Sequence, residues 1–190
     1  MLYYDIKAEK KIMRVITGSA RGMTLKTLEG ETTRPTTDRV KEAIFSAIQF
    51  EIEGARVLDL FAGSGQMGIE ALSRGAADAV FVDSDKGAIR IIKENVTKTK
   101  FTDKARIMQS DAFAFLNMNI NKFDIVFLDP PYAAGLLERA IDGVSDYVDT
   151  AGTVVCEHQL KTELPDECAS LRKYRNYKYG KTAVTIYRKD

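Results

Sequence analysis

From residue 55 onward, short apolar runs alternate with stretches of helical periodicity. The runs 56–60 (RVLDL), 79–83 (AVFVD), 105–109 (ARIMQ), 123–129 (FDIVFLD) and 153–157 (TVVCE) have the length and composition of strands, and the spacing predicts helices over 66–74, 85–98, 110–117 and 136–147 between them. Apolar strands separated by helices imply a parallel sheet covered on both faces. The pattern changes at both ends. Met13–Thr17 and Met23–Thr27 flank the turn Gly18–Gly22 as a small hairpin, and residues 28–36 are polar. Val40, Ala43, Ile44, Ala47 and Ile48 then fall at helical spacing, which predicts an amphipathic helix over 38–50. At the other end, 171–178 and 182–189 flank Tyr179-Gly180 as an antiparallel hairpin.

The expected fold is therefore α/β: a Rossmann-like sheet, mostly parallel, with a C-terminal antiparallel hairpin, preceded by a small N-terminal β-hairpin and helix. Five parallel strands closed by a hairpin resemble a class I methyltransferase sheet, whereas nicotinamide-binding folds usually add a further βαβ unit. The change of pattern divides the chain into an N-terminal extension and hairpin appendage over 1–37 and a main domain over 38–190.

A length of 190 residues suits one domain with a real core, and 45% hydrophobic against 29% charged residues excludes a disordered chain. No apolar run reaches the length of a membrane span, and MLYYDIKAEKK lacks the order of a signal peptide. Cys156 and Cys168 have no partner pattern and read as reduced thiols of a cytoplasmic protein, and a single histidine, His158, argues against a metal site. Nothing demands more than a monomer. The net charge of +1 is unevenly spread: residues 1–41 carry +4 (nine basic, five acidic) and 171–190 carry +6 (seven basic, one acidic), leaving −9 between. Basic ends around an acidic middle suit a polyanion held by both termini, or are ordinary solvated surface.

Two segments carry chemistry. Asp129-Pro130-Pro131-Tyr132 follows the run 123–128 directly. Pro131 holds Pro130 extended, so the Asp129 carboxylate and the Pro130 carbonyl can face a pocket as acceptors, with the Tyr132 ring beside them. This suits a planar group bearing an amino function, although a proline-rich strand-to-loop turn reads the same way. The other segment is Asp59-Leu-Phe-Ala62-Gly63-Ser64-Gly65-Gln-Met-Gly68, with Asp83 twenty residues after Gly63. Its G-x-G-x-x-G form after a strand and before a helix lets a nucleoside approach backbone N–H groups, and Asp83 is placed to accept from ribose hydroxyls. NAD fits the same spacing. S-adenosylmethionine is favoured by Asp59, placed for a methionyl ammonium, and by Asp111-Ala112-Phe113, where Asp111 either accepts from adenine or caps a helix.

These residues lead to a family. V-L-D-L-F-A-G-S-G-x-x-G-I-E-A-L-S-R-G-A (57–76), R-P-T-T-D-R-V-K-E-A-I-F (34–45) and D-P-P-Y (129–132), in order and spacing from about Met13 to the C-terminus, resemble the RsmD family. That resemblance implies an S-adenosylmethionine-dependent enzyme that methylates the exocyclic N2 of a guanine in 16S ribosomal RNA and releases S-adenosylhomocysteine. It also implies the small-subunit RNA or particle as partner. Asp129 and Pro130 would then shape the amine, and Tyr132 would stack on the base. Arg34, Arg39 and Lys41, with Arg14 and Arg21 on the hairpin and Arg172, Lys173, Arg175 and Lys178 near the C-terminus, would meet RNA phosphates, unless Arg39 anchors the loop over the cofactor and Lys41 is a solvated charge of the helix N-terminal region. Tyr174, Tyr177 and Tyr179 read as strand packing. Asp83 stands where relatives often have Glu, Thr17-Gly18 where they often have Gly-Gly, and residues 1–12 precede the usual start, leaving Met1 or Met13 as initiator. The competing readings are methylation of adenine N6 in DNA or RNA, and a non-catalytic RNA-binding assembly factor.

Overall fold

The computed structural model describes residues 13–28, 38–118, 121–132 and 135–190. Residues 1–12 and 29–37 lie outside the described residues, and with them the choice of initiator and the expectation for Arg34. The elements are α1 (Asp38–Ala47), β1 (Arg56–Leu60), α2 (Gln66–Ser73), β2 (Asp78–Asp83), α3 (Lys86–Thr99), β3 (Ala105–Gln109), α4 (Ala112–Leu116), β4 (Phe123–Leu128), α5 (Leu136–Val144), β5 (Val148–Gln159), β6 (Glu167–Cys168), β7 (Leu171–Tyr179) and β8 (Thr182–Lys189). The strands form one sheet in the order β3-β2-β1-β4-β5-β8-β7-β6. The first five run parallel, and β6, β7 and β8 are joined antiparallel.

Alternation along each strand sends successive side chains to opposite faces. Val57, Ala79, Phe81, Ile125 and Phe127 join a core with residues of α1, α2 and α3, while Leu58, Leu60, Val82, Val126 and Leu128 join a second core with α4 and α5. None of the described helices is long and apolar enough to cross a membrane.

Three differences from the sequence expectation have local causes. β5 begins at Val148, ahead of the 153–157 run, and carries Ala151 at a φ of 62° with a register irregularity opposite Phe123 and Ile125. Polar Asp149, Thr150 and Gly152 hide this start from an apolar search. The predicted helix over 136–147 ends at Val144 and finishes as a 3-10 turn over Ser145–Tyr147. The N-terminal hairpin is reduced to one antiparallel bridge, Arg14 with Thr24.

That N-terminal segment nonetheless shares the main core, through buried Met13, Val15, Ala20 and Leu25. Three buried side chains of the main domain fasten its backbone. Glu70 accepts from the N–H groups of Ile16 (2.7 Å) and Thr17 (3.0 Å). Ser73 Oγ accepts from Ala20 N–H at 2.9 Å and donates to the Thr17 carbonyl at 2.6 Å. Asn95 pairs with both backbone groups of Lys26 and donates to the Ser64 carbonyl in the glycine loop at 2.9 Å. Gly18 is essential to this fit: its φ is +90°, and a Cβ there would lie 1.7 Å from the Ser73 carbonyl oxygen.

Glu70 is fully buried, and its charge is met by Arg74 Nε at 2.8 Å and Lys41 Nζ at 3.6 Å. The Lys41 ammonium also donates to the Arg14 carbonyl. Burial lowers the Lys41 pKa, with Glu70 opposing the shift. Removing one partner of a buried ion cluster leaves the others uncompensated. Glu70→Ala is therefore expected to cost about 3–5 kcal/mol in urea unfolding, and to bring the amides of Ile16 and Thr17 to surface rates of hydrogen exchange. Protection of those two amides equal to wild type would contradict the assignment.

Candidate active site

The sheet order reverses between β1 and β4: from β1 the chain winds outward to β2 and β3, and β4 returns to its other side. Such a switch point opens a crevice beyond the carboxyl ends of the strands, where open α/β sheets bind ligands. Both sequence-predicted segments end there. Leu60 of β1 pairs with Leu128 of β4, so the glycine loop and Asp129 leave adjacent strands at the same level, about 4.8 Å apart laterally. Asp83 follows on β2 and Asp111 just beyond β3, so Asp129, Gly63, Asp83 and Asp111 stand in strand order across the crevice. Three strand spacings give a cleft about 14 Å long.

The glycine loop is held from two sides by carboxylates. Asp83 Oδ2 accepts from Gly63 N–H at 2.8 Å, and its Oδ1 accepts from Asp85 N–H at 2.9 Å. Asp59 is buried, with 4% of its surface exposed, and its Oδ2 accepts from Gly68 N–H at 2.9 Å. Burial pushes the Asp59 carboxyl up to about 7, against the Gly68 hydrogen bond and with help from the Asp83 charge. Gly65 caps α2 at a left-handed φ of 77°. A Cβ on Gly68 would lie 2.3 Å from the Phe81 ring, so this glycine serves helix–strand contact. A Cβ on Gly63 would meet nothing within 4 Å. The Gly63 face of the loop is therefore open for a ligand, with Ala62 and Ser64 buried beside it.

Sequence reasoning missed Phe61. It has a φ of 73°, a left-handed conformation that a bulky side chain adopts at a cost of order 1–3 kcal/mol. Its N–H and that of Ala62 both donate to the Val82 carbonyl, at 3.1 and 3.0 Å, which turns the chain out of β1 into the loop.

Between the two roles open for Asp111, the structure shows the helix cap: Oδ1 accepts from Phe113 N–H at 2.9 Å and Ala114 N–H at 3.0 Å. Ala112 is buried and Phe113 half-buried, with the Arg139 guanidinium 3.7 Å above the Phe113 ring. Arg139, on α5, was likewise not singled out from sequence. At the other end of the crevice Pro130 is buried, while Asp129 and Pro131 are exposed and Tyr132 is 60% exposed. His158 is structural. Its Nδ1 lies 2.9 Å from the Gln159 carbonyl and its Nε2 2.8 Å from Thr185 Oγ1, and burial lowers its pKa. A carbonyl only accepts, so Nδ1 carries the proton and the neutral ring accepts from the threonine.

The expected basic rim is not one surface. Lys41 is the clear correction: it is fully buried against Glu70, out of reach of an RNA phosphate, because its stem lies among Val40, Ile44 and Phe45 on the core side of α1. Arg14 is at the start of α1, 3.0 Å from Asp38, and Arg39 is near enough to Tyr179 to oppose the burial that raises its hydroxyl pKa. Arg21 is on the turn beside Ser73 at the far end of α2. Arg172 shares a register row with Arg188 and Thr153, opposite Ile125, four residues below Asp129. Arg172 approaches Glu167 at 3.4 Å, and the Lys173 ammonium is engaged by Asp166 at 2.7 Å and the Leu164 carbonyl at 2.6 Å. Arg175 hydrogen-bonds the Tyr177 hydroxyl at 3.3 Å. Tyr177 and Tyr179 pack against the core, and Tyr174 carries the Arg188 guanidinium at 3.9 Å.

Comparison with known proteins agrees with this geometry. The profile of the family described as "Conserved hypothetical protein 95" matches residues 13–188. "Putative rRNA methyltransferase YlbH" of Bacillus subtilis is 43% identical over 182 residues, covering 93% of this chain and 99% of that protein. "Ribosomal RNA small subunit methyltransferase D" of Escherichia coli K12 is 34% identical over 180 residues, covering 94% and 90%. Among solved structures, "Putative methyltransferase yhhF" of Escherichia coli superposes with a TM-score of 0.84 at 35% identity, covering 94% of this chain and 98% of that one. A 16S rRNA N2 G1207 methyltransferase of Thermus thermophilus shares the fold, with a TM-score of 0.72 at 19% identity over 94% of this chain and 50% of that one. The sheet with its reversed order, the braced glycine loop and the D-P-P-Y turn beside it, matched over nearly the whole chain, place this protein in the Conserved hypothetical protein 95 family, the RsmD family of methyltransferases.

Proposed function

We propose that the chain transfers a methyl group from S-adenosylmethionine to the exocyclic N2 of a guanine in 16S ribosomal RNA, releasing S-adenosylhomocysteine, and that it does so in the cytoplasm on small-subunit RNA or its particle. The observation that carries this reading is the pairing of β1 with β4, which sets the open glycine loop next to Asp129 and Pro130. The relatives' names supply the class of RNA, and the sequence resemblance supplies the N2 atom.

The residues fit the cofactor. Gly63 leaves room above the loop, Asp83 stands at the ribose position, and Phe113 offers a half-buried ring at the adenine position. When bound, the cofactor supplies a methyl group made electrophilic by its sulfonium. The chain's own task is alignment and charge. The guanine N2 lone pair is delocalised into the ring. Hydrogen bonds from the amine to the Asp129 carboxylate and the Pro130 carbonyl favour a pyramidal nitrogen and stabilise the positive charge that develops on it. As the new N–CH3 bond forms and the old S–CH3 bond breaks, the nitrogen becomes acidic and releases its proton to solvent. Tyr132 stacks on a base swung out of its helix.

Purified protein is to be incubated with methyl-labelled cofactor and small-subunit particles that lack the modification, and the RNA digested to nucleosides. The label is expected in N2-methylguanosine. Label in N6-methyladenosine, or in no nucleoside, would overturn the reading. Asp129→Ala should lower kcat about a hundredfold or more while cofactor affinity stays at the wild-type value. Full activity of that variant would refute the role given to Asp129.

The raised carboxyl of Asp59 yields a pH prediction. A cationic methionyl ammonium beside it favours the carboxylate, so cofactor binding there releases a proton. Affinity should then rise with pH below the Asp59 value of about 7, by up to about tenfold per pH unit. In Asp59→Asn the affinity should be weaker and flat over the same window. Calorimetric titrations between about pH 5.5 and 7 that show no rise for wild type would contradict the contact.

A further inference from the structure

A cationic face whose side chains are left outside the ion pairs of the fold lies on a helix that the N- and C-terminal basic segments do not include. Residues 86–104, which make up α3 and the turn after it, hold six basic residues and two acidic ones, or +4. The 129 residues between the basic ends carry −9 in total, so the remainder of that stretch carries −9 − 4 = −13. A local surplus of this size on an acidic background is not evenly mixed solvated charge.

The helix sorts these residues by role. At 100° per residue, Lys86, Arg90 and Lys93 fall within one stripe about 60° wide that also includes Thr97, and Lys100 follows at its far end as the left-handed residue that caps α3. All four basic side chains are exposed, and among the described residues none has a carboxylate partner within 4.0 Å. The flank beside the stripe is structurally engaged: Lys98 Nζ donates to the Thr24 carbonyl and hydroxyl at 2.6 and 2.7 Å, and Glu94 pairs with Lys26 at 2.6 Å. The opposite face is core, with Ile89, Ile92 and Val96 buried. Like charges at i,i+4 and i,i+3 weaken a helix; Arg90 gains from Glu94 at i,i+4 and Lys100 from the C-terminal end of the helix dipole, whereas Lys86 and Lys93 gain nothing comparable from α3 itself.

Its position gives it a use. The stripe starts three residues after Asp83, at the lip of the cofactor cleft, and runs about 21 Å along the helix axis away from it. It carries no exposed aromatic or large apolar side chain. A protein partner needs such anchors to bind tightly, whereas phosphate contacts need only placed charge. We propose that the outer face of α3, through Lys86, Arg90, Lys93 and Lys100, is a phosphate-binding rail that holds the RNA backbone flanking the target base. This rests on the reading of the chain as an RNA methyltransferase and assigns that activity's main electrostatic contact to α3 rather than to β7. The rail positions RNA and reads no sequence.

The test is a fourfold variant, Lys86→Gln, Arg90→Gln, Lys93→Gln and Lys100→Gln, with a second variant that keeps the charges: Lys86→Arg, Arg90→Lys, Lys93→Arg and Lys100→Arg. Binding to 16S ribosomal RNA is measured by filter retention across a salt series, with cofactor binding and thermal unfolding as checks on folding. The glutamine variant should bind RNA at least tenfold more weakly at moderate salt. Its plot of log K against log salt should be shallower by about three, at roughly 0.7–0.9 for each phosphate that is no longer neutralised. KM for RNA should rise with kcat little changed, and the charge-keeping variant should restore both. A glutamine variant with the wild-type salt slope and affinity would overturn the proposal, as would equal losses in the two variants, or wild-type protein that binds acidic lipid vesicles but no RNA. Failure of the methylation reading itself is seen separately, in the nucleoside digest.

Discussion

A buried carboxylate is the anchor on which the N-terminal segment docks against the main domain. Glu70 sits on α2, the helix that opens with the glycine loop, and it gathers the backbone of Ile16 and Thr17, the Arg74 guanidinium and the Lys41 ammonium of α1. A fully buried charge is costly unless every lone pair is used. Here that requirement decides where the N-terminal segment lies. Ser73, one helical turn further, takes the next stretch of the same segment, and Asn95 ties its return leg to the Ser64 carbonyl within the glycine loop. The I-E-A-L-S-R part of the family pattern is thus a docking strip for residues 13–20. The glycines ahead of it are the part we assign to the cofactor.

Sheet topology does the corresponding work at the crevice. Because β4 returns beside β1, two segments 70 residues apart in sequence, 59–63 and 129–132, leave the sheet side by side. Asp59 and Asp83 then fix the loop through backbone N–H groups, at the cost of placing two acids close together in a poorly solvated site. A cation would relieve that crowding, which is the part the proposed function gives to the methionyl ammonium of the cofactor. Stored strain at Phe61 belongs to the same arrangement: the chain must turn sharply between the end of β1 and the loop.

Strands β1, β3 and β4 and the C-terminal hairpin were legible because their apolar runs end in turn-forming residues, and the glycine loop because its spacing occurs between a strand and a helix. Individual side-chain roles were less so. Lys41 reads as a surface cation, yet it lies beside Val40 on the buried side of α1 and meets a carboxylate 29 residues away in sequence. Asp111 could be cap or ligand, and only the two N–H bonds to Oδ1 separate these. The basic ends suggested a single rim, but β7 starts at the end of the sheet away from the crevice, so Arg172 and Lys173 stand there among acids. Conversely, net charge concealed the α3 stripe inside an acidic stretch, where helical spacing brings Lys86, Arg90 and Lys93 onto one face and Lys100 follows at the cap.

The central claim is that the glycine loop and D-P-P-Y form one site in which an exocyclic guanine amine faces the methyl donor. A crystal structure of the chain with S-adenosylhomocysteine and guanosine tests it most directly. The account predicts the homocysteine sulfur over Gly63, and guanine N2 within about 3 Å of both the Asp129 carboxylate and the Pro130 carbonyl, with Tyr132 stacked on the base. Guanosine seated away from Asp129, or turned so that N2 faces solvent while another atom meets the sulfur, would contradict it.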